Sequence, residues 1–260
     1  MPRLNCTIPS LGMIAFSLLG CASQPSTDGD QQRLMALAAQ VQQGGDPASA
    51  AALYERAADA SEQAPDVMIA LGNARLRAGD SAGATEAFRV ALRKRENDPN
   101  ALLGLGTAEL GYGQYDRAAR TLEAAAVPID TAQVYNRLGT AQALAGNFES
   151  ALTAYAQASR HEPGNLDIRS NHALTLALAG RHAEAVKEMT AVAASPLAET
   201  HHAKQLMLVY LLAGDMPNAR QALSGLATAD RERLLRDASR IGTLSDPAQR
   251  AQAIGVLSTR

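Results

Sequence analysis

Seven side chains in this sequence could carry thiol or metal chemistry: Cys6, Cys21, and the histidines His161, His172, His182, His201 and His202. Both thiols precede residue 22, which leaves no cysteine in the rest of the chain for a disulfide framework or a zinc site. The histidines are scattered. His161 closes a helix near Pro163, and His182 holds a turn position that is aromatic at Tyr115 and Phe148. His201 and His202 are adjacent, so on a helix they point about 100° apart and are not expected to share a metal ion. His172 replaces a leucine in a regular pattern and is the histidine expected to be buried, packed in a core. There is no Gly-rich phosphate loop, no GxSxG and no HExxH. The residues therefore predict no catalytic centre, metal, cofactor or small-molecule substrate.

One chemical feature remains, and it surrounds Cys21. Arg3 precedes an apolar stretch from Ile8 to Leu19, which is too short to span a bilayer but suits a signal-peptide core. The stretch ends in Leu18-Leu19-Gly20-Cys21 and gives way to Ser23-Gln24-Pro25-Ser26-Thr27. This junction resembles the lipobox of bacterial lipoproteins, although Leu19 stands where that family more often has Ala, Ser or Thr. The resemblance implies that residues 1–20 are removed and that Cys21 carries acyl chains such as palmitate on its thiol and amine. Ala22 replaces the Asp that retains many such proteins at the inner membrane, which implies the periplasmic face of the outer membrane. Residues 21–30 then read as the acylated cysteine and a flexible tether.

The rest of the chain must hold whatever function the anchor serves. Its 260 residues are 47% hydrophobic, mostly Ala and Leu, with only 3% aromatics, a composition that favours helices over strands. Net charge is −2, with acidic and basic residues mixed, so no nucleic-acid footprint is present. Six glycines, Gly45, Gly79, Gly113, Gly146, Gly180 and Gly214, recur at intervals of 34, 34, 33, 34 and 34 residues. Such a period marks a stacked repeat array. With each glycine as position 15, the units begin at Gln31, Pro65, Pro99, Ala132, Leu166 and Thr200.

Position 20 is alanine throughout, from Ala50 to Ala219. Position 8 is Ala38, Gly72, Gly106, Gly139, Ala173 and then Met207. Position 7 is Leu37, Leu71, Leu105, Leu138, His172 and Leu206; position 24 is Tyr54, Phe88, Leu122, Tyr155, Met189 and Leu223. In a helix pair, positions 7 and 24 would fill the core, positions 8 and 20 would let the backbones approach, and the glycine would end the first helix.

This pattern resembles the tetratricopeptide repeat. The expected fold is an all-α solenoid of six helix-turn-helix repeats over residues 31–233. Residues 234–260 follow as capping helices, with a partner-binding tail as the alternative. The resemblance implies a concave face built from the first helices, lined by Ile69, Asn73, Leu103, Thr107, Asn136, Thr140 and Leu174. Ser170, Leu178, Leu208 and Leu212 extend it. Such a face suits an extended or helical protein segment. The family's carboxylate-clamp mode is not expected, since Met35 and Ala39 hold the clamp positions of the first repeat.

The stretches Leu174-Thr-Leu-Ala-Leu-Ala-Gly-Arg181 and Leu206-Met-Leu-Val-Tyr-Leu-Leu-Ala-Gly-Asp215, with Ala219-Arg220, extend the likeness. Together with the lipobox, the chain resembles the TadD-like tetratricopeptide lipoproteins of tight-adherence (Flp) pilus assembly. That likeness implies a pilotin-like scaffold whose partners are the secretin or other pilus and secretion components, together with the membrane through its lipid. A type IV pilus pilotin and an adaptor for peptidoglycan synthases or hydrolases are the alternatives.

Overall fold

The computed structural model describes residues 27–258, so Cys6, Cys21 and most of the expected tether lie outside the described residues. The described residues form fourteen α-helices and no strand. The six pairs are α1 (Thr27–Gln43) with α2 (Pro47–Ala60), α3 (Pro65–Arg77) with α4 (Ser81–Lys94), and α5 (Pro99–Gly111) with α6 (Tyr115–Ile129). They continue as α7 (Ala132–Leu144) with α8 (Phe148–His161), α9 (Leu166–Leu178) with α10 (His182–Ala193), and α11 (Thr200–Leu212) with α12 (Met216–Ala222). Two further helices follow, α13 (Thr228–Gly242) and α14 (Pro247–Ser258). No helix among the described residues is long and apolar enough to cross a membrane.

Each pair turns the same way for one local reason. All six periodic glycines have φ between +79° and +87°, a region costly for residues with a Cβ. Around Gly79, the Gly79 N–H donates to the Leu76 carbonyl (3.1 Å) and the Asp80 N–H to the Arg75 carbonyl (2.8 Å). This crossed pair satisfies two carbonyls that the helix end leaves open, and it recurs at all six glycines. The next residue starts the second helix. Asp46, Asp80 and Asp215 accept from the backbone N–H groups of Ser49, Gly83 and Asn218.

Packing follows the repeat rows, with one change of partner. Position 20 is fully buried in every repeat, and position 24 is never more than 5% exposed. The small residue at position 8 makes room first for the side chain at position 24, and at Gly106 also for the facing backbone, whose Leu122 N would lie 3.3 Å from an added Cβ. A Cβ on Gly72 would lie 2.6 Å from the Phe88 ring, and one on Gly106 would lie 2.6 Å from Leu122 Cγ. Position 7 packs backwards: Leu105 clusters with Ala84 and Phe88 of the preceding repeat. No repeat precedes Leu37 among the described residues, and it is 47% exposed and not the core residue expected. At the other end Met207 is buried, filling the position-8 space itself.

The single 33-residue interval also has a local cause. Helix α6 runs 15 residues and reaches α7 through Asp130 and Thr131 alone, with Asp130 left-handed at φ 47°. Helix α4 runs 14 residues and is joined to α5 by residues 95–98.

Helix α13 closes the last pair, burying Leu234, Leu235, Ala238 and Ile241 in a cluster with Leu206, Ala219 and Leu223. Helix α14 does not simply extend this cap. It turns back across the first helices α7, α9 and α11.

Candidate functional site

Neighbouring first helices touch one another along the array (α3 with α5, α5 with α7, α7 with α9, α9 with α11), whereas the second helices do so far less. The first helices are therefore the crowded inner layer, and their outward rows form the inner face of the solenoid. An open trough of about 750 Å³ lies on this face between α3, α5 and α7. Ile69, Leu76, Leu103 and Leu110 supply its apolar strips, and Asn73, Asn100, Thr107 and Gln133 supply amides and a hydroxyl. Asp66, Arg77 and Arg137 add charge.

Arg137 is the unusual member. Its Nη1 donates to Thr107 Oγ1 at 2.7 Å, while that hydroxyl donates to the Leu103 carbonyl. No carboxylate among the described residues lies within ion-pair distance of it. Burial lowers its affinity for its proton below the usual arginine range. A half-buried cation without a counter-charge favours an incoming anion, because a charged hydrogen bond there replaces lost solvation. Sequence reasoning passed over Arg137, although a signal existed. It is the one charge in a position-6 row that otherwise reads Ala36, Ala70, Gly104, Asn171 and Gln205.

The structure divides the predicted groove residues between two places. Ile69, Asn73, Leu103 and Thr107 meet in the open trough. Asn136 sits beyond it, its side-chain oxygen accepting from Asn171 Nδ2 at 3.3 Å. Thr140 and Leu174 line a smaller cavity of about 140 Å³ that is roofed by Ala251, Ile254 and Gly255 of α14. Ser170 and Leu208 are buried and line no open face. That departs from expectation, because the hydroxyl of Ser170 turns back to the Asp167 carbonyl and Leu208 joins the C-terminal core.

The histidines also depart from expectation. His202, not His172, is the buried one, at 3% exposure. His172 is half-buried and pairs with Glu188 across the helix pair, Nδ1 to Oε2 at 2.8 Å. His201 and His202 do converge: their ring centroids are 3.8 Å apart, and both Nε2 atoms approach Asp167 Oδ1, at 2.9 and 3.3 Å. The 100° separation applies to Cα–Cβ bonds in a regular helix. In this first turn, His202 swings back to cap the helix, its Nδ1 accepting the Glu199 backbone N–H at 2.9 Å. An Nδ1 that accepts leaves the proton on Nε2, which lies buried 3.3 Å from Asp167 Oδ1 without a hydrogen-bond partner and offers no metal-binding lone pair. The cluster reads as a polar joint between the fifth and sixth repeats.

Within that joint, His202 is the group whose proton affinity is shifted. Burial depresses the His202 pKa below the ordinary histidine value and His201 adds to it, against opposing pulls from Asp167 and Glu199. The folded state then binds this proton less firmly than the unfolded chain, whose histidine pKa is about 6.5. Its contribution to stability is complete above about pH 6.5 and declines as the pH falls below it. Melting temperatures taken from pH 8 to pH 5 are expected to fall on the acid side, with a shallower slope in His202→Gln. Equal slopes in the two proteins would refute this assignment.

The sequence profile of the tetratricopeptide repeat matches residues 35–101, 69–134 and 136–199. The chain belongs to the tetratricopeptide-repeat family. Proteins of this family are generally binding scaffolds. Among curated relatives, the TPR repeat-containing thioredoxin TTL4 of Arabidopsis thaliana is 36% identical over 108 residues, covering 41% of this chain and 16% of that protein. The inactive thioredoxin TTL3 of the same plant is 35% identical over 112 residues, 43% of this chain and 16% of that one. The chain thus spans only a small part of these relatives.

Among solved structures, a tetratricopeptide repeat protein from Parabacteroides merdae superposes with a TM-score of 0.68 at 14% identity, covering 89% of this chain and 99% of that one. The Pseudomonas aeruginosa pilF protein gives 0.63 at 15% identity, covering 81% and 98%. MamA from Desulfovibrio magneticus gives 0.59 at 22% identity, covering 63% and 93%. These likenesses show the fold.

Proposed function

We propose that this chain is a lipid-anchored scaffold without catalytic activity, held through Cys21 at the periplasmic face of the outer membrane. Its role is pilotin-like, helping an outer-membrane secretin of a tight-adherence (Flp) pilus to localise and assemble. The observation that carries the binding role is the open trough with its unpaired Arg137, a place for an apolar segment bearing an acidic group. The lipobox-like junction at Gly20-Cys21 supports the location. Confinement to one leaflet raises the scaffold's effective concentration near a membrane partner without any added contact. The shared fold with the pilF protein favours a type IV pilus pilotin as the second reading.

Deleting the gene and assaying the cells for secretin multimers and surface pili tests the proposal. Loss of both is expected. Multimers and pili present at wild-type levels would sink it.

A further inference from the structure

The inner face of the last three repeats already holds a helix. In α14, Ala248, Ala251, Gln252 and Gly255 stand at i, i+3, i+4 and i+7, which places them on one side. That side meets the first helices. Ala251 and Ile254 are buried at 4% and 2% exposure, and Gln252 Nε2 donates to the Leu144 carbonyl at 3.0 Å. That carbonyl belongs to the last turn of α7, where the helix offers no partner of its own. Beneath α14 lie Leu144, Leu174 and Leu178, the continuation of the apolar strips that stand open in the trough. Among its described side chains α14 buries Ala251 and Ile254, and it touches α7, α9, α11 and α13.

We propose that the inner face of repeats four to six is a helix-binding seat, filled by α14 in the free protein. A partner helix repeating its pattern of alanine, side-chain amide and isoleucine takes the seat over. This rests on the reading that the inner face receives a protein partner. The geometry defines what fits: small residues at each turn let a helix lie close over Leu144 and Leu178. One amide meets the free carbonyl and one isoleucine enters the gap beside Leu174. Charge is excluded from the contacting side of such a helix, since the cavity beneath it offers no charged group.

The test needs no identified partner, because α14 supplies its own probe. In the full chain, Ile254→Asp is expected to release α14: hydrogen exchange should rise across residues 247–258 while α7, α9 and α11 stay protected. A fluorescent synthetic peptide of residues 244–258 should then bind this variant at least tenfold more tightly than it binds the wild type, whose seat is taken. Adding Leu178→Arg to the variant should abolish that binding, and a peptide carrying Ile254→Asp should not bind. Equal binding to wild type and variant, or no binding to a released and folded variant, would overturn the proposal. Circular dichroism distinguishes that last case from a misfolded variant. Failure of the secretin assay, by contrast, would remove the assigned partner and leave the seat untouched.

Discussion

Phe88→Ala is expected to destabilise the array by about 3–5 kcal/mol, the range for deleting a buried ring. Phe88 is fully buried and serves two repeats at once. A Cβ on Gly72 of its own repeat would come within 2.6 Å of the ring, and one on Gly104 of the next repeat within 2.2 Å. In a stacked array each repeat is stabilised mainly by its neighbours, so the cavity should also weaken the coupling between the second and third units. Chemical denaturation followed by circular dichroism should show a lower midpoint and a broader transition. The reciprocal change decides whether the ring and the glycine are matched. Gly104→Ala gains about 1 kcal/mol of helix propensity but should lose about 1–3 kcal/mol to overpacking, for a net loss. Combined with Phe88→Leu, part of that loss should be recovered; strict additivity would show that the two sites do not share the space.

Cys21→Ser should produce the largest change in behaviour and the smallest in fold. Each buried methylene of an acyl chain contributes about 0.8 kcal/mol to membrane binding, and one chain alone holds a protein only marginally. Several chains on the proposed anchor at Cys21 would take it far beyond that margin. The wild-type protein should remain with membranes through high-salt washing and be released by detergent, and its mature N-terminus should carry the added acyl mass. The serine variant should lose both properties while keeping its helical spectrum, because Cys21 precedes the first helix at Thr27. A mature cysteine without acyl mass, or a serine variant still in the membrane fraction, would refute the anchor.

Much of the fold could be read from spacing, because the repeat states each constraint six times. One left-handed glycine, one buried alanine and one large side chain per unit are local demands, and they stand in the sequence at fixed offsets. What spacing missed depends on neighbours. Leu37 matches its row but has no preceding repeat to pack against among the described residues. His201 and His202 obey the helical angle at Cβ and escape it through rotation and capping. The groove divides along the same line. The residues of repeats two and three could be placed from position alone, and Ile69, Asn73, Leu103 and Thr107 do share a trough. Thr140 and Leu174 could not, because their surroundings are set by α14, more than 70 residues further along the chain. Arg137 lay in a row that carries no consistent type, so periodicity gave it no weight.

The two kinds of connection in the array differ in tolerance. Turns within a repeat are written by one glycine and two crossed hydrogen bonds, all six alike, whereas the link after α6 lost two residues and α6 gained one without disturbing the next unit. Errors in length are thus absorbed between units and do not accumulate. Residues inserted experimentally at the links should leave the downstream stack in phase, and the same insertion at a glycine turn should throw it out.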